Sequence, residues 1–273
     1  MAEYGWAESI PVKTSAVLVL NGKKHPSDPP PSPPSDSPPI AGTPTHSSLV
    51  HGLDAADVDA TPAKRRVADG LHVLSTEADA LRSLAAFYED DVGAQESFAR
   101  AVETIAWSRR TGSKLVITGV GKSGHIGRKL VSTFQSLGIP GVFLHPTEAL
   151  HGDLGLVGHN DSLLIISFSG RTGELLQLLP HLHRSIRVIV LTSHVRPEGC
   201  ELLSRRPDGV LLSAPIPEPE TVSVGVAAPT TSTTVALALG DALAIATAKE
   251  LHADVPTVFA RNHPGGSIGE SLK

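Results

Sequence analysis

The chain is 273 residues long, with 23 basic and 28 acidic residues and a formal net charge of −5, so it carries no basic stripe of the kind a nucleic-acid binder needs. That length buries a sizeable core without staples, and the single cysteine, Cys200, excludes an intrachain disulfide and a cysteine-built zinc cluster and points to a reducing compartment, the cytosol. The apolar runs, such as Ser162 to Phe168 and Thr234 to Ala248, fall short of about 18 residues or contain Asp241, so no bilayer span is expected and the protein reads as soluble.

From Met1 to Leu20 there is no basic start followed by an unbroken apolar core, so no secretory signal is expected. Between His25 and Pro44 nearly half of the residues are proline, interleaved with serine and aspartate; proline removes backbone donors, and this composition offers little apolar surface to bury. Residues 1–70 are therefore expected to form a disordered arm, with residues 71–273 as one folded domain. Inside the arm, Ser15 to Leu20 reads either as a docking segment or as a transient extended stretch. Order is expected to begin near Ser75, where Ser-Thr-Glu-Ala-Asp supplies capping oxygens and early acidic charge ahead of Leu81, Leu84, Ala85 and Tyr88 at helical spacing. A second amphipathic helix carries Phe98, Ala101, Val102, Ile105 and Ala106 on one face.

After Gly112 short β-rich runs alternate with helical ones. Strands are expected at Lys114 to Thr118, Val142 to Leu144, Leu163 to Ser167, Arg187 to Leu191 and Val210 to Ser213, with helices at Ile126 to Leu137 and Glu174 to His183. Apolar strands alternating with helices imply right-handed crossovers and a parallel sheet buried on both faces, an α/β/α sandwich of three layers. An alanine-rich helix from about Thr231 to Glu250 follows. From Ala260 the Arg-Asn-His-Pro-Gly-Gly run is expected to be a loop, since Pro264 and two glycines do not extend a helix.

In an open parallel sheet, ligands are held just beyond the carboxyl ends of strands, where helix N-termini offer unpaired amides to anions. The first such loop here, Gly119 to His125, matches the spacing GxGxxG, which alone is a weak signal. Lys122 inside it, and His145-Pro146 where an acidic residue is wanted, count against a dinucleotide. It also fails as a Walker loop, because position 116 is Val. The second loop, Ser167-Phe168-Ser169-Gly170-Arg171-Thr172-Gly173-Glu174, follows the most apolar strand and precedes a helix. Three hydroxyls, a flexible glycine and a helix N-terminus make a phosphate cradle; N-capping explains one hydroxyl comfortably and three less well.

Ser-x-Ser-Gly-x-Thr-x-Glu resembles the phosphate-binding signature of sugar isomerase (SIS) domains. Gly121 to Lys129, His145 to Gly155, Pro229 to Leu243 and Asn262 to Gly269 resemble the bacterial-type arabinose 5-phosphate isomerases of that family, in order and with matching spacing over residues 75 to 273. The resemblance implies an SIS fold without the CBS domains many relatives append. It implies a homo-oligomer, a tetramer, binding a phosphosugar, with no cofactor and no required metal, and an isomerase converting arabinose 5-phosphate to ribulose 5-phosphate.

Such a reaction needs a base to move a proton between C1 and C2, a group to open the ring, and support for the enediol. By resemblance, these roles fall to Lys122, His151, Glu174, Glu220 and His263, the last acting across a subunit interface. Ser167, Ser169, Thr172, Ser123, Gly121 and Thr233 are the corresponding phosphate-binding residues. Each has a plainer reading: Lys122 as a solvated lysine, His151 as a structural hydrogen-bonder, Glu174 as complement to a helix dipole, and Thr233, with Ser232 and Thr234, as helix caps. Between Glu220 and Pro229 the chain is one residue longer than the family pattern, at Ala227-Ala228, which leaves open which glutamate is the base. Phe168 and Arg171 stand where those isomerases usually carry a small polar residue and an acidic one. The rival reading is a non-catalytic sugar-phosphate sensor, which needs the cradle but no base and no ring-opening group; hexose or amino-sugar phosphates are the alternative substrates.

Overall fold

The computed structural model describes residues 61–265. The proline-rich run, the Ser15–Leu20 segment and the last residues of the terminal glycine motif lie outside the described residues. Helix α1 spans Pro62–Asp90, with the Thr61 hydroxyl accepting from the Lys64 amide and Pro62 in the first position, where no donor is needed. This corrects the expectation that order begins near Ser75: Gly70, Ser75 and Thr76 sit inside the helix. Its cause is an apolar series that runs straight through them. Val67, Leu71, Leu74, Ala78, Leu81, Ala85 and Tyr88 follow one another in alternating steps of four and three residues, which keeps them on one side of an α-helix.

Helix α2, Val92–Arg110, starts at Asp91, whose carboxylate accepts from the Ala94 amide at 2.7 Å. The remaining elements are β1 (Leu115–Gly119), α3 (Lys122–Ser136), β2 (Gly141–Phe143), α4 (Pro146–Ala149), β3 (Ser162–Ile166), α5 (Gly173–Leu178), β4 (Arg187–Thr192), α6 (Glu201–Arg205), β5 (Val210–Ser213), α7 (Glu220–Ser223), α8 (Thr231–Leu251) and α9 (Val255–Asn262). All neighbouring strands pair parallel, in the order β2-β1-β3-β4-β5.

Side chains alternate across that sheet, so two cores form. Leu115, Ile117, Leu164, Ile166, Ile189, Leu191 and Leu212 meet α1, α2, α3 and α8 on one face. Val116, Leu163, Ile165, Val188 and Val190 meet α4, α5 and α6 on the other. The three-layer α/β/α sandwich expected from the sequence is therefore the fold. At the amino edge, Asp161 is buried and accepts from the Lys114 amide at 3.0 Å, the Lys114 ammonium at 2.6 Å and the Gly158 amide at 2.7 Å, which ties the start of β1 to that of β3.

Helix α8 is long and apolar enough to cross a bilayer by length and composition, but it packs against α1, α2 and α3 as the central helix of one layer. A second correction concerns the end of the chain. Arg261 and Asn262, expected in a loop, close helix α9, because the Asp254 carboxylate caps it and Pro256 lies in its first turn, while Pro264 restricts only the residue directly before it.

Candidate active site

The strand order fixes where a ligand belongs. From β1 the chain first steps outward to β2, then returns to the other side of β1 for β3. The crevice between the carboxyl ends of β1 and β3 is thus the switch point, flanked by the loops after Gly119 and after Ile166, which are register partners. Both signature loops open there.

The first loop turns at Gly121, whose φ of 58° and ψ of −127° exclude a side chain. Helix α3 starts immediately, with Lys122 and Ser123 in its first turn. At Gly124 a β-carbon would lie 2.9 Å from the Gly119 carbonyl oxygen, so this helix packs against its strand only because that position is bare.

In the second loop, carbonyls and amides face opposite ways. The Phe168 carbonyl accepts from the Ser193 amide at 3.1 Å, the Ser193 hydroxyl at 2.8 Å and the Thr192 hydroxyl at 3.0 Å. The Ser169 carbonyl accepts from His194 Nε2 at 2.9 Å, and the Gly170 carbonyl from the Leu202 amide at 3.0 Å. Among the described residues no acceptor meets the amides of Phe168, Ser169, Thr172, Gly173 and Glu174. Carbonyls tied back and amides left free make an anion nest at the start of α5. The hydroxyls play a smaller part than their sequence suggests: Ser167 Oγ and Thr172 Oγ1 lie 2.8 Å apart and bond each other, and Ser169 Oγ accepts from the Arg171 amide at 3.4 Å.

A cavity of about 330 Å³ lies beside these loops. Its polar lining includes Gly121, Lys122, Ser123, Ser193, Glu220, Ser232 and Thr233, and Phe168 brings the second loop to its wall. Glu220 enters from α7 and is held hard: its Oε1 accepts from the Thr230 amide at 2.8 Å, the Ser232 amide at 3.0 Å and the Ser232 hydroxyl at 2.7 Å. The carboxylate therefore occupies the amino end of α8, where the helix dipole favours it. Thr233 lines the same cavity, but its hydroxyl donates to the Pro229 and Thr230 carbonyls and acts as a cap. A further cavity of about 400 Å³, with Pro215, Ile216 and Pro219 in its wall, shares Phe168, Ser193 and Glu220 with the first.

Of the residues singled out from the sequence, Gly121, Lys122, Ser123, Glu220 and Thr233 thus converge on one cavity. Ser167, Ser169, Thr172 and Glu174 form the adjoining nest, with Glu174 exposed in the first turn of α5. His151 is exposed in the turn after α4 and does not line the cavity. His263 stands apart. Its Nε2 lies 3.3 Å from Ser136 Oγ, at the far end of α3 from Lys122, about 21 Å along a helix of that length. The Phe259 carbonyl accepts from its Nδ1 at 2.8 Å, and its ring stacks on Phe259. Sequence reasoning missed Ser193, His194 and Thr192, which hold the nest from behind; the one available signal is that they follow β4, the strand next to the second loop.

The family model of the SIS domain matches residues 110–246. An arabinose 5-phosphate isomerase, KdsD of Francisella tularensis, is 43% identical over 178 residues, 65% of this chain and 52% of its own length. Another, KpsF of Escherichia coli, is 43% identical over 159 residues, 58% and 48% of the two lengths. The chain spans about half the length of the curated relatives it matches. A protein of Escherichia coli CFT073 solved in complex with arabinose 5-phosphate is 32% identical with a TM-score of 0.62, covering 75% of this chain and 100% of that one. With half of its residues in the family model, and the whole of a solved relative covered, the chain belongs to the SIS domain family.

Proposed function

We propose that the protein isomerises an aldose phosphate to a ketose phosphate through an enediol, with arabinose 5-phosphate as substrate and ribulose 5-phosphate as product. The observation that carries this reading is the meeting of Lys122 and Glu220 in one cavity next to an anion nest. A nest alone binds; a fixed carboxylate and an ammonium beside it are what proton transfer at a carbonyl requires. The phosphate docks on the free amides of the loop after β3, which sets C1 and C2 against the cavity wall. Glu220 takes the proton from C2 and returns it to C1, while the hydroxyl proton on O2 passes to O1 in the enediol, which leaves a carbonyl at C2 and a hydroxyl at C1. Its Oε1 is fixed by three donors, which leaves Oε2 as the base, while Lys122 offsets the negative charge that develops on the sugar oxygens.

Ring opening falls to His263 of a second copy, because the imidazole of the same chain lies at the other end of α3. Self-association has its own support in α1. Val67, Leu71 and Leu74 are 61%, 57% and 65% exposed, and they open the four-three series of that helix. A seam with this period fits another helix of the same period, and α1 of a second copy supplies one by a two-fold axis. Two such dimers paired about a second two-fold axis as a homotetramer, working on a soluble metabolite in the cytosol, complete the reading.

Purified protein incubated with arabinose 5-phosphate in deuterated water tests it. Deuterium at C2 of the recovered aldose, together with ribulose 5-phosphate, is the expected result. Saturable binding with neither product nor label would make the protein a sensor instead, and exchange on a hexose or amino-sugar phosphate alone would replace the substrate.

A further inference from the structure

His194 belongs to none of the signature loops, yet the phosphate nest is built against it. Its ring sits in a slot between two glycines. A β-carbon at Gly170, which has φ of +63°, would lie 2.7 Å from Cys200 Sγ and 3.1 Å from His194 Cδ2. A β-carbon at Gly199 would lie 2.7 Å from His194 Nδ1. Both walls are therefore bare backbone, and the ring fills the space between them. From that slot Nε2 reaches the Ser169 carbonyl at 2.9 Å. A carbonyl oxygen only accepts, so Nε2 carries the proton.

The consequence runs through a single peptide group. The Ser169 carbonyl belongs to the peptide unit whose nitrogen is that of Gly170, and that nitrogen donates to the Ser167 carbonyl at 3.2 Å, so the peptide that closes the turn is held from both sides, while the Ser169 amide, one peptide earlier, is a free donor of the nest. Tying this carbonyl back fixes ψ of Ser169, while the Phe168 carbonyl is fixed by Thr192 and Ser193 and the Gly170 carbonyl by Leu202. Only one of these ties depends on a side chain of unusual size: the others come from small hydroxyls and backbone amides at the strand and helix ends. We infer that His194 is a positioning residue for phosphate binding, holding the amides after β3 in the orientation that receives the anion without touching the substrate. The inference rests on the phosphosugar reading for what the bound anion is, but not for the nest itself.

The test separates the two. Full-length protein, wild type, His194→Ala and His194→Gln are titrated with inorganic phosphate by calorimetry and assayed with arabinose 5-phosphate. Losing one hydrogen bond that orders the loop predicts that His194→Ala weakens phosphate about five- to tenfold and raises KM by the same factor, with kcat changed less than about twofold. His194→Gln, whose Nε2 stands near the place of the imidazole Nε2, restores both, and this rescue distinguishes positioning from simple packing. Should His194→Ala not fold, the comparison of His194→Gln with His194→Asn, whose amide is too short to reach, carries the same information. Unchanged phosphate affinity in His194→Ala, no rescue by Gln, or no phosphate binding by the wild type overturns the inference. Phosphate binding that falls and is rescued in a protein without isomerase activity upholds it while removing the proposed function.

Discussion

Two glutamates were candidates for the base, and their surroundings differ. Glu220 lies in the cavity with one oxygen held by three donors, whereas Glu174 is exposed on α5 beyond the nest. Glu220→Gln keeps an oxygen to accept from the Thr230 and Ser232 amides, so the amino end of α8 stays capped, but it removes the basic lone pair. Steady-state assay of that variant is expected to show kcat lower by about 10²–10⁴-fold, the usual worth of a general base, with phosphate affinity little changed. Glu174→Gln is expected to act mainly on KM, through the charge beside the nest. Equal losses in kcat from both variants would undo the assignment. Lys122 and Glu220 were named from the resemblance to the arabinose 5-phosphate isomerases; Lys122 also stands in a glycine loop between a strand and a helix, whereas the proline-rich approach to Glu220 carries no such pattern of its own. His194 was not: a lone histidine after a strand has no spacing to mark it, and its role appears only when Gly170 and Gly199, far apart in sequence, are seen on either side of its ring.

At the level of elements, β1, β3, β4 and β5 were legible because each is a short, mostly buried apolar run, a pattern that leaves little choice of structure, while β2 is an edge strand of three half-buried residues. The limits of α1 and the existence of α9 were not, since local signals for disorder and for a terminal loop outweighed caps lying just beyond them. Asp254 is the clearest of those caps. Its carboxylate accepts from the Thr257 amide at 3.1 Å and from the Thr257 hydroxyl, and these bonds hold its pKa below the usual aspartate value. A depressed folded-state pKa stabilises above the unfolded value of about 3.9 and is lost as pH falls through the lowered one. Hydrogen exchange is thus expected to show the first turn of α9 loosening in acid, and Asp254→Ala loosening it already at neutral pH; equal protection in both proteins at pH 7 would refute the cap. The contact between α3 and α8 depends on a second local feature. At Gly240 a β-carbon would strike Leu130, lying 2.7 Å from its Cδ2, so the two helices approach over bare backbone. Gly240→Val overfills that contact and is expected to cost about 1–3 kcal/mol in urea unfolding; a variant as stable as wild type would mean that Leu130 has room to turn away.

Across the whole molecule, the distance between Lys122 and His263 is the decisive quantity. One helix separates them, about 21 Å along its axis, and among the described residues no loop of the same chain closes that gap. If the site needs both residues, it is shared between copies, and sharing has a consequence that a self-contained site lacks. A Glu220→Gln chain still offers a sound His263, and a His263→Ala chain a sound Glu220. Neither variant is active alone. Mixed after partial unfolding and refolding together, half of the random pairs are mixed, and in each mixed pair one of the two sites is whole. Recovery of roughly a quarter of the wild-type rate is therefore expected for a two-fold arrangement. The apolar series of α1 supplies the control. Leu71→Glu with Leu74→Glu places charge in the seam, so sedimentation of that variant is expected to show a smaller species with unchanged helix content. The same changes added to both inactive chains should reduce the recovered rate. A mixture no more active than the sum of its parts would mean that each chain works alone, and the imidazole that opens the ring would then have to be sought near the cavity, with His151 the first to test.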